Sequence, residues 1–243
     1  MTRWRRPAQL GAVLLAVGLL GLAWLPVTTR QGIDGKVSRI RLPLWVKTAE
    51  FLVRDYHYRR LAQTITGRAG TPQEKVLVIF EWVRSNLRPQ PRELRVVDDH
   101  IYTIIVRGYG TPDQFADVMA TLCAYAGVPA MRRLVAGSSG RRLNVTMVRI
   151  DGRWCPFDPY RGVFFQHPDG RFVSLEELIN DPRLLVTSRR GSPEDSVDYG
   201  VFIRPGLGVN FNSPRPYNQM PWIRLWQMLA QRFGWTAPVP ATR

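Results

Sequence analysis

The sequence Gly108-Tyr-Gly-Thr-Pro-Asp-Gln-Phe-Ala116 marks the start of a helix near the middle of the chain. Thr111 is a favoured N-cap residue, Pro112 suits the first helical position, and Gln114 completes a capping box. Gly127 ends the helix, because glycine readily adopts the left-handed conformation common after a helix. Apolar residues recur at helical spacing between these limits, namely Phe115, Met119, Leu122 and Ala126.

Two further helices are predicted before this one. Residues 44–66 lack glycine and proline and precede Gly67, so we predict a helix there. Thr71-Pro72-Gln73-Glu74 is a second capping box, and the helix it opens stops before Pro89. Residues 88–110 are predicted to be a loop that contains the apolar stretch 101–106.

Beyond Pro129 the apolar period changes to two, which is typical of strands. Asp151-Gly152 has the composition of a two-residue hairpin turn of type I′. Helices followed by an antiparallel sheet predict an α+β domain. The predicted elements are strands at 131–136, 143–150, 153–158 and 163–166, and a short helix at 174–179.

The turn at 151–152 also predicts which residues of the hairpin share a face. Counting back from a two-residue turn, Val145 pairs with Asp158. Paired residues share a face and a strand alternates faces, so Leu143 lies on the face of Asp158. Asn144 lies on the other face.

Four motifs point to one family. Gly108–Ala116 is followed by Gly127-Val-Pro-Ala130, then by Asp151-Gly-Arg-Trp154 and Pro156-Phe-Asp-Pro159. Together, within about residues 71–180, they resemble the bacterial transglutaminase-like superfamily. The resemblance implies a papain-like fold whose active members use a Cys-His-Asp triad.

The resemblance also assigns the triad positions. The family's cysteine stands in the first turn of the central helix, where this chain has Pro112. Its histidine falls on Leu143, and its third member falls on Asp158. A thiol nucleophile needs a helix N-terminus and a paired base, and proline and leucine supply neither nucleophile nor base. The resemblance therefore implies a degenerate member without a catalytic site.

The remaining candidate residues have structural interpretations. Asp158 without a histidine fits a turn or capping carboxylate, and the alternative is an acid–base group. Thr111 is expected to cap the helix rather than to replace the nucleophile. Cys123 fits a core residue and Cys155 the face opposite Asp158, while a disulfide between them stays open. Three scattered histidines fit no metal site, and no cofactor is expected.

The first thirty residues have the pattern of a membrane-targeting segment. Arg3, Arg5 and Arg6 precede an uncharged apolar run from Leu10 to Leu25. We favour an uncleaved anchor, with a cleaved signal peptide as the alternative. The positive-inside rule leaves the basic end in the cytoplasm and places the remainder outside, which in a bacterium is the periplasm. Nucleic acid is therefore not an expected partner.

The rest of the chain divides by composition. Residues 31–43 are predicted to be an extended linker, 44–185 the domain, 186–218 an irregular extension, and 219–243 a C-terminal helix with its tail. The C-terminal helix is amphipathic, so it either packs on the core or docks on a membrane or partner. Its apolar face carries Trp222, Leu225, Trp226, Leu229 and Phe233.

Charge and anchor together indicate the class of function. The net charge of +15 attracts anionic phospholipid or acidic glycan. We expect a scaffold subunit of an envelope complex at the inner membrane; the analogy extends to exopolysaccharide systems. The alternative is a glycan- or peptide-binding module whose cleft walls are Trp154, Tyr160 and Phe164. An active enzyme with unorthodox residues is the third class.

Overall fold

A computed structural model describes residues 5–33, 36–94, 100–137, 140–191, 197–204 and 221–235. The helices are α1 Arg5–Ala23, α2 Leu44–Thr66, α3 Pro72–Asn86, α4 Ile101–Arg107, α5 Pro112–Tyr125, α6 Leu175–Asn180, α7 Leu184–Thr187 and α8 Pro221–Phe233. The strands are β1 Pro26–Ile33, β2 Lys36–Pro43, β3 Arg88–Pro89, β4 Tyr109–Gly110, β5 Ala130–Ala136, β6 Arg142–Ile150, β7 Arg153–Asp158, β8 Val163–Phe165 and β9 Arg189–Gly191.

The prediction of a linker at 31–43 is wrong, because these residues belong to a β-hairpin. β1 and β2 pair antiparallel from Pro26 opposite Pro43 to Ile33 opposite Lys36. The sequence holds a sign of this, since Asp34-Gly35 is a dipeptide typical of two-residue hairpin turns. The hairpin returns the chain to its starting point, where the Leu44 amide donates to the Leu25 carbonyl at 2.9 Å.

α1 occupies the segment for which an anchor is predicted. Its apolar side chains from Val13 to Leu20 are exposed. Among the described residues, no helix combines the length and the apolarity required to cross a membrane.

The main sheet is antiparallel, with strand order β5-β6-β7-β8-β9. The predicted hairpin register is confirmed, since Ile150 pairs with Arg153 and Thr146 pairs with Phe157. β9 lies in the segment predicted to be irregular, and it pairs with β8 through Phe164 opposite Arg190. That part of the prediction is wrong because β9 is stabilised by its neighbour in the sheet and not by a local pattern. Residues 192–196 and 205–220 lie outside the described residues.

The sheet is buried on both faces, and each face has its own core. Val148 and Ile150 of β6 point into the first core, which α3 and α5 cover. Leu143, Val145 and Met147 point into the second core. The predicted alternation along β6 is therefore confirmed. The second core is completed beyond the sheet by side chains that include Leu178, Tyr199, Phe202 and Ile203.

Phe80 tests the packing of the first core. Its side chain is fully buried, and its ring lies 5.3 Å from that of Phe164 and 5.9 Å from that of Phe157. We expect Phe80→Ala to lower the free energy of unfolding by about 3–5 kcal/mol, because it removes buried apolar area and leaves a cavity. Val186→Ala on exposed α7 is the control, with an expected change within about 0.5 kcal/mol. Denaturant unfolding measures both, and equal midpoints would contradict the described core.

Candidate functional site

Gly108 and Gly110 shape the chain just before α5. β3 and β4 form a short parallel pair in which Pro89 lies opposite Gly110. A Cβ atom on Gly110 would lie 2.9 Å from Gln114 Oε1, so a larger residue would require the Gln114 side chain to move out of the helix cap. Gly108 caps α4 with a φ of 73°, a conformation that favours glycine. The two glycines of the motif therefore turn the chain from α4 into α5.

The predicted capping box at Thr111 is present. The Thr111 amide donates to Gln114 Oε1 at 3.1 Å, and Arg107 Nη2 donates to the same oxygen at 2.7 Å. The Thr111 hydroxyl donates to Asp113 Oδ1 at 2.5 Å. Pro112 occupies the first helical position and leaves no unpaired amide there. The start of α5 is thus built as a helix cap, and the Thr111 hydroxyl donates to a carboxylate within it.

Asp158 is the position to which the resemblance assigns the third member of the triad. Its carboxylate is buried, with Oδ1 accepting from the Arg161 amide at 3.0 Å. Oδ2 accepts from Arg161 Nη1 and from the Tyr199 hydroxyl, each at 3.0 Å. Burial raises the pKa of Asp158, whereas Arg161 and the hydrogen bonds oppose that shift. These contacts are those of a turn carboxylate that also holds residue 199 to the sheet.

Leu143 lies in the second core and is buried beside Val145 and Met147. The apolar face of α5 packs on the other side of the sheet, where the Thr146 hydroxyl donates to the Ala116 carbonyl at 3.1 Å. Leu143 and Asp158 therefore share a face, as predicted, and Pro112 begins the helix that covers the opposite face.

The two cysteines are free thiols buried in the first core. Burial raises the pKa of the Cys155 thiol to about 12 and raises the pKa of Cys123 as well. A thiol is nucleophilic as the thiolate, so these environments suppress reactivity near neutral pH. The expectation that Cys123 is a core residue and that Cys155 faces away from Asp158 agrees with this placement.

The three aromatic residues expected to line a cleft do not come together. Trp154 packs against the second core. Tyr160 packs against the first core, 5.1 Å from the ring of Phe115. Phe164 belongs to the ring cluster of the same core, with its ring 5.9 Å from that of Phe157. The structure places them on two sides of the sheet.

A pocket of about 280 Å³ lies between α2 and α4, which sequence analysis missed. His57, Arg60 and Thr64 line it from α2, and Tyr102 and Ile105 line it from α4. It was missed because residues 101–106 were predicted to lie in a loop, whereas Ile101–Arg107 is helical. The apolar repeat of that segment and the glycine after it are the signals that could have shown it. Within the described ranges, no group of three or more His, Cys, Asp or Glu side chains is arranged to hold a metal ion.

The C-terminal helix α8 buries Ile223 and Ala230. Trp226 and Phe233 of the predicted apolar face are exposed, and Leu229 is half-buried. The side chains of Trp222 and Leu225 lie outside the described residues.

Comparison with known proteins gives one family match. Residues 59–159 match the Transglutaminase-like superfamily. A comparison with curated protein sequences finds no match.

Comparison with solved structures gives partial likenesses. A candidate protease from Parabacteroides distasonis ATCC 8503 is 18% identical, with a TM-score of 0.36, over 54% of this chain and 35% of that one. A candidate cysteine protease from Cytophaga hutchinsonii is 20% identical, with a TM-score of 0.38, over 53% and 43%. A protein described as a TGase is 12% identical, with a TM-score of 0.38, over 54% and 43%. The chain thus spans less than half the length of each of these proteins.

Thiol labelling tests the placement of the cysteines. In the folded protein we expect Cys123 and Cys155 to react with a thiol reagent at least about 100-fold more slowly than in denaturant, because labelling requires the core to open. The introduced thiol of Val186→Cys on α7 serves as the exposed control and should react quickly. Rapid labelling of either native cysteine at neutral pH would contradict the buried, protonated state.

Proposed function

We propose that this chain, whose residues 59–159 match the transglutaminase-like superfamily, is a catalytically inactive member that serves as an interaction subunit of a membrane-bound envelope complex. The observation that carries the proposal is Pro112 at the start of α5, the position at which the family places its nucleophile. A proline there completes a helix cap and offers no group that attacks a carbonyl carbon.

The other reactive groups support the same conclusion. Leu143, at the position of the family's histidine, is a buried apolar residue and does not transfer protons. Asp158 is committed to Arg161 and Tyr199. Both thiols are buried with raised pKa values. Acyl transfer by a cysteine needs a nucleophile and a base together, and these positions supply neither.

The proposal includes a location at the inner membrane. The basic residues Arg3, Arg5 and Arg6 and the uncharged apolar run that follows them favour a single-pass anchor in the inner membrane, with the domain on the periplasmic side. In that compartment a net charge of +15 favours anionic phospholipid, acidic glycan and acidic surfaces of other envelope proteins. Nucleic acid is excluded from the proposal by compartment.

Cross-linking in native membranes, followed by purification in mild detergent, tests the scaffold role. We expect the chain to be recovered with a reproducible set of envelope proteins. Asp158→Asn is the matched variant, because it keeps the shape of the side chain and removes the carboxylate that a catalytic role would need. The same partners should be retained in this variant, once thermal unfolding shows that it is folded. Recovery of a free monomer, or hydrolytic or acyl-transfer turnover that Asp158→Asn abolishes, would overturn the proposal.

The pocket between α2 and α4 favours a second candidate function, the binding of an acidic glycan. Tyr102 offers an aromatic face on which a sugar ring stacks, and Arg60 supplies a cation for a carboxylate. The His57 ring lies 5.0 Å from that of Tyr102, so two neighbouring aromatic rings form this wall of the pocket. This pocket, rather than a surface lined by Trp154, Tyr160 and Phe164, is the better place for a ligand.

Calorimetric titration with a uronic acid oligosaccharide tests this candidate. We expect saturable binding that Arg60→Gln weakens by about tenfold, since a hydrogen bond to a charged group contributes roughly 1.5–3 kcal/mol. Arg142→Gln, at an exposed position on β6, is the control and should bind as the unmodified chain does. An equal effect of both substitutions would indicate general charge attraction and would remove the pocket from consideration.

A further inference from the structure

α2 is apolar on two sides. One side is buried in the protein and includes Phe51, Tyr58 and Ala62. On another side, Trp45, Leu52 and Tyr56 recur at helical spacing and are exposed by 49%, 60% and 57%. An exposed apolar stripe bordered by charged side chains is typical of a surface that contacts a membrane or a partner, so the stripe of Trp45, Leu52 and Tyr56 is a candidate contact surface.

The stripe begins where α1 ends. The β1–β2 hairpin brings Leu44 into hydrogen-bond contact with Leu25. At this junction the exposed rings of Trp24 and Trp45 lie 6.2 Å apart in an edge-to-face arrangement. The apolar surface therefore continues from α1 through two tryptophans onto α2. Tryptophan is the residue most typical of a bilayer interface, where its ring is apolar and its N–H reaches polar groups.

α8 packs on α2 and carries a second group of exposed aromatic residues. Trp226, Phe233 and Trp235 are exposed there, and the ring of Trp235 lies 5.2 Å from that of Phe233 and 6.2 Å from that of Trp226. Among the side chains of α8 that the structure describes, Ile223 and Ala230 are buried. Trp226 and Phe233 thus remain exposed on a helix that already packs on α2.

The charges around the stripe favour an anionic surface. The two carboxylates on the same helix are paired within it: Glu50 with Arg54 at 3.8 Å, and Asp55 with Arg59 at 3.0 Å. Arg60 follows the stripe at its far end and donates to the Tyr56 hydroxyl at 3.4 Å. Because each carboxylate is paired with an arginine, it repels the negative headgroups of an acidic lipid surface only weakly. The exposed arginines are attracted to those headgroups.

We propose that the stripe of α2 and the aromatic patch of α8 lie in the headgroup region of an anionic phospholipid bilayer. The helices would lie along the surface with their exposed side chains about 5–10 Å into the interface. This proposal rests on the membrane location given under the proposed function. It adds lipid as the partner of the stripe of α2 and of the aromatic patch of α8, both of which are separate from the anchor helix α1. The domain then contacts the bilayer through α2 and α8 and is not attached to it through α1 alone.

The test uses the full chain in phosphatidylcholine–phosphatidylglycerol vesicles. An environment-sensitive fluorophore is attached to Leu52→Cys on the stripe or to Val186→Cys on α7, two exposed positions on helices. We expect lipid-borne quenchers placed near the headgroups to quench the label at position 52 and to leave the label at position 186 unquenched. Equal quenching at the two positions, or protection at 52 without lipid quenching, would overturn the proposal; the second result indicates a protein on the stripe, including another copy of this chain.

Two further arms complete the design. Tyr56→Glu places a charge on the exposed stripe without disturbing the core, and it should abolish quenching at position 52. Exchange of all lipid for phosphatidylcholine should weaken the association of the stripe with the bilayer, about fivefold in the equilibrium constant for each arginine at the surface, and should thereby lower quenching at position 52. Flotation of the chain with the vesicles at high salt reports anchoring separately. A chain that floats without quenching at position 52 overturns this inference and leaves the proposed anchor standing, whereas a chain that does not float overturns the anchor.

Discussion

The two-residue turn at Asp151 and Gly152 sets the register on which both cores depend. Its residues have φ values of 50° and 78°, the left-handed conformation that a type I′ turn requires. Because the sheet is buried on both faces, a slip by one residue would exchange them. It would turn the carboxylate of Asp158 on β7 toward the helical layer and move Phe157 of the same strand out of it. The turn thereby fixes the apolar packing and the position of the buried charge together.

Asp158 has a structural role that its contacts explain without catalysis. Its carboxylate accepts hydrogen bonds from Arg161 and from Tyr199, which belongs to the segment that closes the second core. Leaving a buried charge or donor without its partner is costly. The residue is therefore stabilising whether or not a nucleophile or a base is present, and its presence is no sign of catalysis.

Local chemistry decided which parts could be predicted. The start of α5 at Pro112 and the face of Leu143 followed from a capping box and a turn, which act within a few residues. β9 and the helical state of residues 101–107 depend on partners distant in the chain, and their local patterns are short. The pocket beside Tyr102 could not be predicted for the same reason, since it exists only where α4 meets α2.

The closure of the β1–β2 hairpin determines the reach of the molecule. As a flexible linker, the segment 26–43 would let its ends separate by about 24 Å on average. Folded back on itself, it joins the Leu44 amide to the Leu25 carbonyl, so its effective length is one hydrogen bond. If α1 is fixed in a larger assembly, α2 therefore stays at a constant distance from that assembly, and the domain cannot move away to reach distant partners. A partner held close to the same assembly would meet the domain more often than a distant one.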